Sequence, residues 1–276
     1  MSRELLEDRI AVLEARNQPC GVGQRADLTG CIPRGGSGRG LRDEDVHEAY
    51  DALQAAFSTV KDSMGYERRV VEADKLTPAA TAVMDAATLF TSEGGVDLIR
   101  DPAAFDRGVR AHKFDGPSII HRNDDGSRKY IDQHKVQHSR AAFESANKVM
   151  TALATRPMAP GASPELTRGV ALPTNVASKL KAGETTDLGE MLSFSTESWV
   201  ASSFAAQRKA SIERDEGPGS ATSVIFTIPK GEARRGSDIS EIGTGELEEF
   251  VSSGRVRLTN IERKYDGTLA VECEQV

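Results

Sequence analysis

Residues 190–209 read EMLSFSTESWVASSFAAQRK. The first half alternates with period two. Leu192 and Phe194 fall on one face of a strand, Ser193 and Ser195 on the other. From Ser198 onward the run is rich in Ala and Ser, with Val200 and Phe204 four apart, which predicts a helix over about 197–209 that buries both side chains. Working outward, further short strands follow in LTRGVAL (166–172), SVIFTI (223–228), EEFVS (248–252), RVRLTNI (255–261) and TLAVECE (268–274). Residues 115–126 hold one more, ending in the turn NDDGS, and residues 131–155 read as a helix.

The first part of the chain has a different texture. Leu5, Leu6, Ile10 and Leu13 mark an amphipathic helix over 2–17. Residues 18–40, QPCGVGQRADLTGCIPRGGSGRG, read as a flexible arm. A helix over about 43–64 carries Val46, Tyr50, Leu53, Phe57 and Val60 on one face. Thr77-Pro78 opens another, with proline at the first helical position and Val83, Met84, Ala87 and Phe90 on its apolar side. Asp101-Pro102 starts a short one with Phe105 and Val109. Residues 1–110 are thus expected to be helical apart from the arm. Helices early and strands late give an α+β fold, divided as 1–40 (helix and arm), 41–110 (helical region) and 111–276 (catalytic domain).

Composition excludes several classes. The 276 residues are 38% hydrophobic and 28% charged, enough to bury a core. No run of about 18 apolar residues exists, so no spanning helix is expected. The charged N-terminus lacks the apolar stretch of a signal peptide. Acids outnumber bases 42 to 35, a net charge of −7, so neither nucleic acid nor an anionic membrane is an expected partner. Gly35-Gly36-Ser37-Gly38 is not followed by Gly-Lys-Ser/Thr, which argues against a P-loop. His134 and His138 lie four apart, but Lys135 stands where a zinc protease needs Glu. Cys20 and Cys31 lack ligand partners nearby, and Cys273 is remote, so no metal site is expected.

Three separated pieces carry the chemistry. Arg168-Gly169 sits within a strand, where an arginine is costly to bury unless it meets an anion. Its fork matches a phosphate pair. Ser193 and Ser195 present two hydroxyls able to hold a sugar or orient a carboxylate. Residues 240–251, SEIGTGELEEFV, form a turn in which Gly243 and Gly245 permit unusual φ values and deliver acids at the mouth of a strand.

In that order, arginine strand, serine strand and acidic turn, the chain resembles the mono-ADP-ribosyltransferase family in its arginine–serine–glutamate branch, known from bacterial toxins. The similar stretches are 147–173 (NKVMTALATRPMAPGASPELTRGVALP), 181–205 (KAGETTDLGEMLSFSTESWVASSFA) and 240–258 (SEIGTGELEEFVSSGRVRL), so the resemblance covers about residues 110–276. It implies two small perpendicular sheets with flanking helices, and NAD as substrate. Arg168 and Gly169, with Ser193, Ser195 and Phe204, would bind NAD. Glu248 would be the catalytic acid and Glu246 would position the nucleophile. Counting from the apolar pair Phe250-Val251 instead makes Glu249 the catalytic acid and puts Leu247 in the first position. The first register is preferred. It accompanies arginine as target, whereas the second favours plain NAD hydrolysis. The serine strand reads Ser-Phe-Ser-Thr-Glu where Ser-Thr-Ser is common in the family.

The expected activity is therefore transfer of ADP-ribose from NAD to a protein side chain, arginine in the first register, with nicotinamide released. An NAD glycohydrolase and a catalytically silent interaction module are the alternatives. The acceptor protein is not legible. The N-terminal half has the flavour of phage head-associated segments, which makes a phage head or a secretion system its expected partner. The expected location is the cytoplasm, or a virion or host cell into which the protein is delivered.

Overall fold

The computed structural model describes residues 24–27, 30–33, 41–61, 67–112, 116–189, 191–243 and 249–276. The chain divides into two units, Met1–Arg42 and Asp43–Val276. In the first, β1 (Gln24–Asp27) and β2 (Gly30–Pro33) pair antiparallel, with Ala26 opposite Cys31. Part of the Gly- and Pro-rich arm is thus a hairpin, since four residues per strand suffice for a ladder. The expected helix over 2–17, the Gly35–Gly38 run and Cys20 lie outside the described residues.

The second unit runs in order through α1 (Asp43–Ala56), β3 (Ser58–Lys61), β4 (Glu67–Glu72), α2 (Pro78–Thr91), α3 (Gly95–Arg100), β5 (Ser118–Arg122), β6 (Arg128–Gln133) and α4 (Arg140–Thr155). It continues through β7 (Leu166–Pro173), α5 (Thr174–Ala177), β8 (Thr185–Asp187), β9 (Leu192–Ser195), α6 (Ser198–Glu216), β10 (Ala221–Ile228), β11 (Ser237–Asp238), β12 (Glu249–Ser252), β13 (Arg255–Arg263) and β14 (Leu269–Gln275). The fold is α+β. One sheet has four strands, β3-β4-β5-β6, and the other eight, β11-β12-β9-β7-β10-β14-β13-β8. In the larger sheet β7 and β9 share a single residue pair, Thr167 opposite Ser195. That pair joins a three-stranded half to a five-stranded half; the second unit thus has the expected two sheets with flanking helices.

Two cores flank the larger sheet. The first gathers α1, α2, α3 and α4, through residues such as Leu53, Phe90, Ile99 and Phe143, with Val71, Met191 and Val251 from the strand regions. The second holds Leu166, Phe194, Phe226, Phe250 and Val271. Alternation along β12 sends Phe250 to one core and Val251 to the other. No helix of the described residues is long and apolar enough to cross a membrane.

Several local expectations hold for physical reasons that a sequence displays. Thr77 caps α2, its hydroxyl accepting from the Ala80 N–H at 3.1 Å, with Pro78 at the first helical position. Others are corrected. The first helix of the second unit stops at Ala56, because the β-branched Thr59 and Val60 enter β3 opposite Arg69 and Arg68. Residues 1–110 are therefore not helical throughout. The stretch 131–133 belongs to β6, where Ile131 pairs with Ile120. The helix starts only at Arg140, because the Ser139 hydroxyl accepts from the Ala142 N–H at 3.1 Å and caps it there. His134 and His138 consequently share no helical face. His134 Nε2 lies 2.6 Å from Asp85 Oδ1, and the His138 ring meets Phe143 edge-on at 5.8 Å.

Candidate active site

The site is built on the register of β9 against β12. Glu249 lies opposite Ser195, Phe250 opposite Phe194 and Val251 opposite Ser193. Phe194 and Phe250 are both buried in the second core. Pairing partners share a face, so Glu249, Ser193 and Ser195 occupy the opposite side, with Val251. A slip of one residue would drive the two rings into the first core's side of the sheet, so the apolar pattern fixes where the carboxylate and the serines go.

The gap between β7 and β9 supplies the third element. The Thr167 hydroxyl donates to the Ser195 carbonyl at 3.1 Å, beside the one pair that links these strands. Next along, Arg168 Nη1 donates to the Ser193 carbonyl at 2.6 Å. A guanidinium thus occupies the position where a neighbouring strand's N–H would have continued the ladder. Gly169 serves another need. A Cβ there would sit 1.7 Å from the Ala201 carbonyl oxygen, so α6 can lie against β7 only because position 169 lacks a side chain.

The electrostatics follow from burial. Glu249 is only 9% exposed. Burial pushes its carboxyl up to about 7, against the Ser193 hydroxyl and the Arg168 charge, which both favour the anion. Burial likewise draws the Arg168 guanidinium down to about 10; the Arg100 charge acts in the same direction, and Glu249 opposes it. Near neutral pH Arg168 stays cationic, while Glu249 is poised between acid and anion. Such a carboxyl can accept a proton, or stabilise positive charge developing beside it.

Arg168, Ser193 and Glu249 are therefore in one place. The Ser195 hydroxyl turns to its own chain, accepting from the Glu197 N–H at 3.0 Å. Glu246 and Glu248 lie outside the described residues, as does Gly245. Gly243 is in the turn before them but has no positive φ; a Cβ there would sit 2.7 Å from Thr91 Cγ2, so close packing on α2 is what requires glycine. Phe204 is not buried as its spacing suggested. It is 49% exposed and Trp199 is 64% exposed, while Val200, Ala201 and Ala205 make the buried face of α6. Small residues suffice there because the helix lies so close to β7.

Sequence reasoning missed Arg100 and Met191. Arg100, the last residue of α3, donates from Nη2 to the Met191 carbonyl at 3.0 Å. Nothing in a lone arginine at a helix end announces such a role.

No family model matches the sequence, and no curated protein matches it. Among solved structures, the chain is similar to Vis, an ADP-ribosyltransferase from Vibrio splendidus crystallised with an inhibitor, at 17% identity over 87% of each chain with a TM-score of 0.44. It is similar to the Clostridium limosum C3 exoenzyme at 13% identity, over 87% of this chain and 98% of that one, with a TM-score of 0.39. Exoenzyme S from Pseudomonas aeruginosa, in complex with human 14-3-3 protein beta and carba-NAD, is 14% identical over 85% of this chain and 88% of its own, with a TM-score of 0.39. At these identities and scores, the residues around Glu249 carry the functional reading.

Proposed function

We propose that this chain is an NAD-dependent mono-ADP-ribosyltransferase whose catalytic carboxylate is Glu249. The observation that carries the proposal is the meeting of a buried carboxyl, held near neutrality, with the Ser193 hydroxyl and the Arg168 guanidinium. In the proposed reaction the bond between nicotinamide and ribose breaks and its electron pair leaves with nicotinamide, which departs neutral. Positive charge develops on the ribose, as in glycoside hydrolysis. The ionised Glu249 stabilises that charge. Ser193 holds the carboxylate in line, and Arg168 grips the diphosphate through its planar fork. Ser195 braces the strand. The acceptor's lone pair then closes the new bond to the ribose carbon, and its proton passes to solvent water.

This places the catalytic acid one residue beyond Glu248, with Leu247 rather than Glu246 two residues before it. A leucine cannot take the acceptor's proton. That apolar residue supports NAD hydrolysis, with water as acceptor, as the second reading, and weighs against arginine as the protein target. The partner implied in the transferase reading is a protein acceptor of another residue type.

Incubating the purified chain with NAD labelled in its adenylate part, alone and with cell lysate, separates these readings. Label on a protein band is expected. Free ADP-ribose without a labelled band would replace transferase by glycohydrolase. Intact NAD would overturn both and leave a silent module.

A further inference from the structure

Three alternate carbonyls of the serine strand region accept hydrogen bonds from side chains, two of them beyond the one residue pair that links β9 to β7. Ser195 O accepts from Thr167 Oγ1 at 3.1 Å, Ser193 O from Arg168 Nη1 at 2.6 Å, and Met191 O from Arg100 Nη2 at 3.0 Å. The edge of β9 is thus satisfied without closing the gap to β7. We infer that Arg100 is a positioning residue of the proposed site: by holding the Met191 carbonyl it fixes the start of the serine strand, so that the Ser193 hydroxyl meets the Glu249 carboxylate.

Met191 is where such a hold is needed. Among the described residues it is the one non-glycine with positive φ, at 50°. A methionine pays about 1 kcal/mol or more for that conformation, so its surroundings must enforce it. They do so from two helices. Its side chain is buried in the first core, where its sulfur accepts from the Thr151 hydroxyl of α4 at 3.4 Å, while Arg100 of α3 takes its carbonyl. Arg100 is exposed, but the end of α3 that carries it is well rooted. Leu98 and Ile99 beside it are fully buried, and Asn147 Nδ2 of α4 donates to the Ile99 carbonyl at 2.9 Å. Two residues past Met191 comes Ser193. The Arg100 charge also acts on the Arg168 guanidinium, adding to burial in drawing it down.

The inference rests on the proposed function for its consequence, but its geometry can be tested apart from activity. The charged groups acting here are Arg168, which faces Glu249 from β7, and Arg100 of α3 beside Arg168. The test follows the Glu249 carboxyl by carbon NMR across pH in the full chain, as wild type, Arg100→Gln, Arg100→Lys and Thr151→Val. Loss of the Ser193 hydrogen bond in Arg100→Gln should raise the midpoint by about half a unit to one unit. Arg100→Lys should restore part of the difference. In parallel, kcat for nicotinamide release from NAD should fall about tenfold with KM little changed.

An unchanged midpoint in folded Arg100→Gln overturns the inference. So does a raised KM with unchanged kcat, which would make Arg100 a direct ligand of the substrate. If Arg100→Gln does not fold, Thr151→Val loosens Met191 from the other side and must raise the same midpoint; no change there also overturns it. A wild-type chain that leaves NAD intact defeats the functional reading while the titration still decides this one.

Discussion

If Glu249 acts as proposed, stability and activity oppose each other in pH. Its carboxyl titrates at about 7 in the folded chain against an ordinary 4.5. A carboxyl raised on folding holds its proton more tightly in the native state. Its contribution is therefore fully present below about pH 4.5 and is lost as pH rises through 7, by up to about 3 kcal/mol. Catalysis by the anion has the opposite slope and should rise through neutrality. Glu249→Gln, which removes the titration, should raise stability against urea at pH 8 relative to wild type, with the gain shrinking towards pH 4. An equal difference at both pH values would mean that burial does not govern this carboxyl. The choice of acid, which here remains part of the proposal, also shows where sequence reading stopped. Glu246, Glu248 and Glu249 look alike in a run of acids, and choosing among them needs the point at which the strand begins. Phe250-Val251 bears on that point, because each of the two goes to a different core and so fixes the face on which Glu249 lies.

At the scale of elements, β9 was the most legible piece. Leu192 and Phe194 alternate with hydroxyls, and a strand with one apolar face can be read without its neighbours. The cap at Thr77-Pro78 was equally legible, since a helix start is a local arrangement. What a sequence cannot display is distance between elements. Gly169 reads as part of a binding motif, yet its backbone runs beneath α6. Gly169→Ala should force α6 away from β7, because the added carbon would meet the rigid Ala201 carbonyl. A loss of at least about 1–3 kcal/mol is expected in chemical denaturation; a neutral effect would show that the helix can shift freely. Phe204 illustrates the same limit. Its helical spacing with Val200 suggested burial, but a helix this near the sheet buries its alanines and leaves the larger ring outside.

At the scale of the molecule, the helical stretch is no separate module. A single core joins Val46 and Phe90 to Phe143, Met191 and Val251, and the four-stranded sheet pairs β4 with β5 across residue 110. The boundary expected there followed from a change in composition, whereas the core is made of contacts far apart in sequence. A fragment of residues 111–276 should therefore fail to give a cooperative unfolding transition, whereas 43–276 should give one. A stable 111–276 fragment would contradict the shared core. The same continuity lets α3 and α4 reach Met191. A salt bridge between Arg69 and Glu241 also ties β4 to the turn that precedes Glu249.

The central claim is that Glu249, gathered with Ser193 and Arg168, cleaves NAD. The most direct measurement is steady-state nicotinamide release by the purified full chain carrying Glu248→Gln or Glu249→Gln, each beside wild type. A loss of about a hundredfold is expected for Glu249→Gln, in keeping with removal of one charge-stabilising contact, and a far smaller loss for Glu248→Gln. A fully active Glu249→Gln, or the larger loss at Glu248, would contradict it.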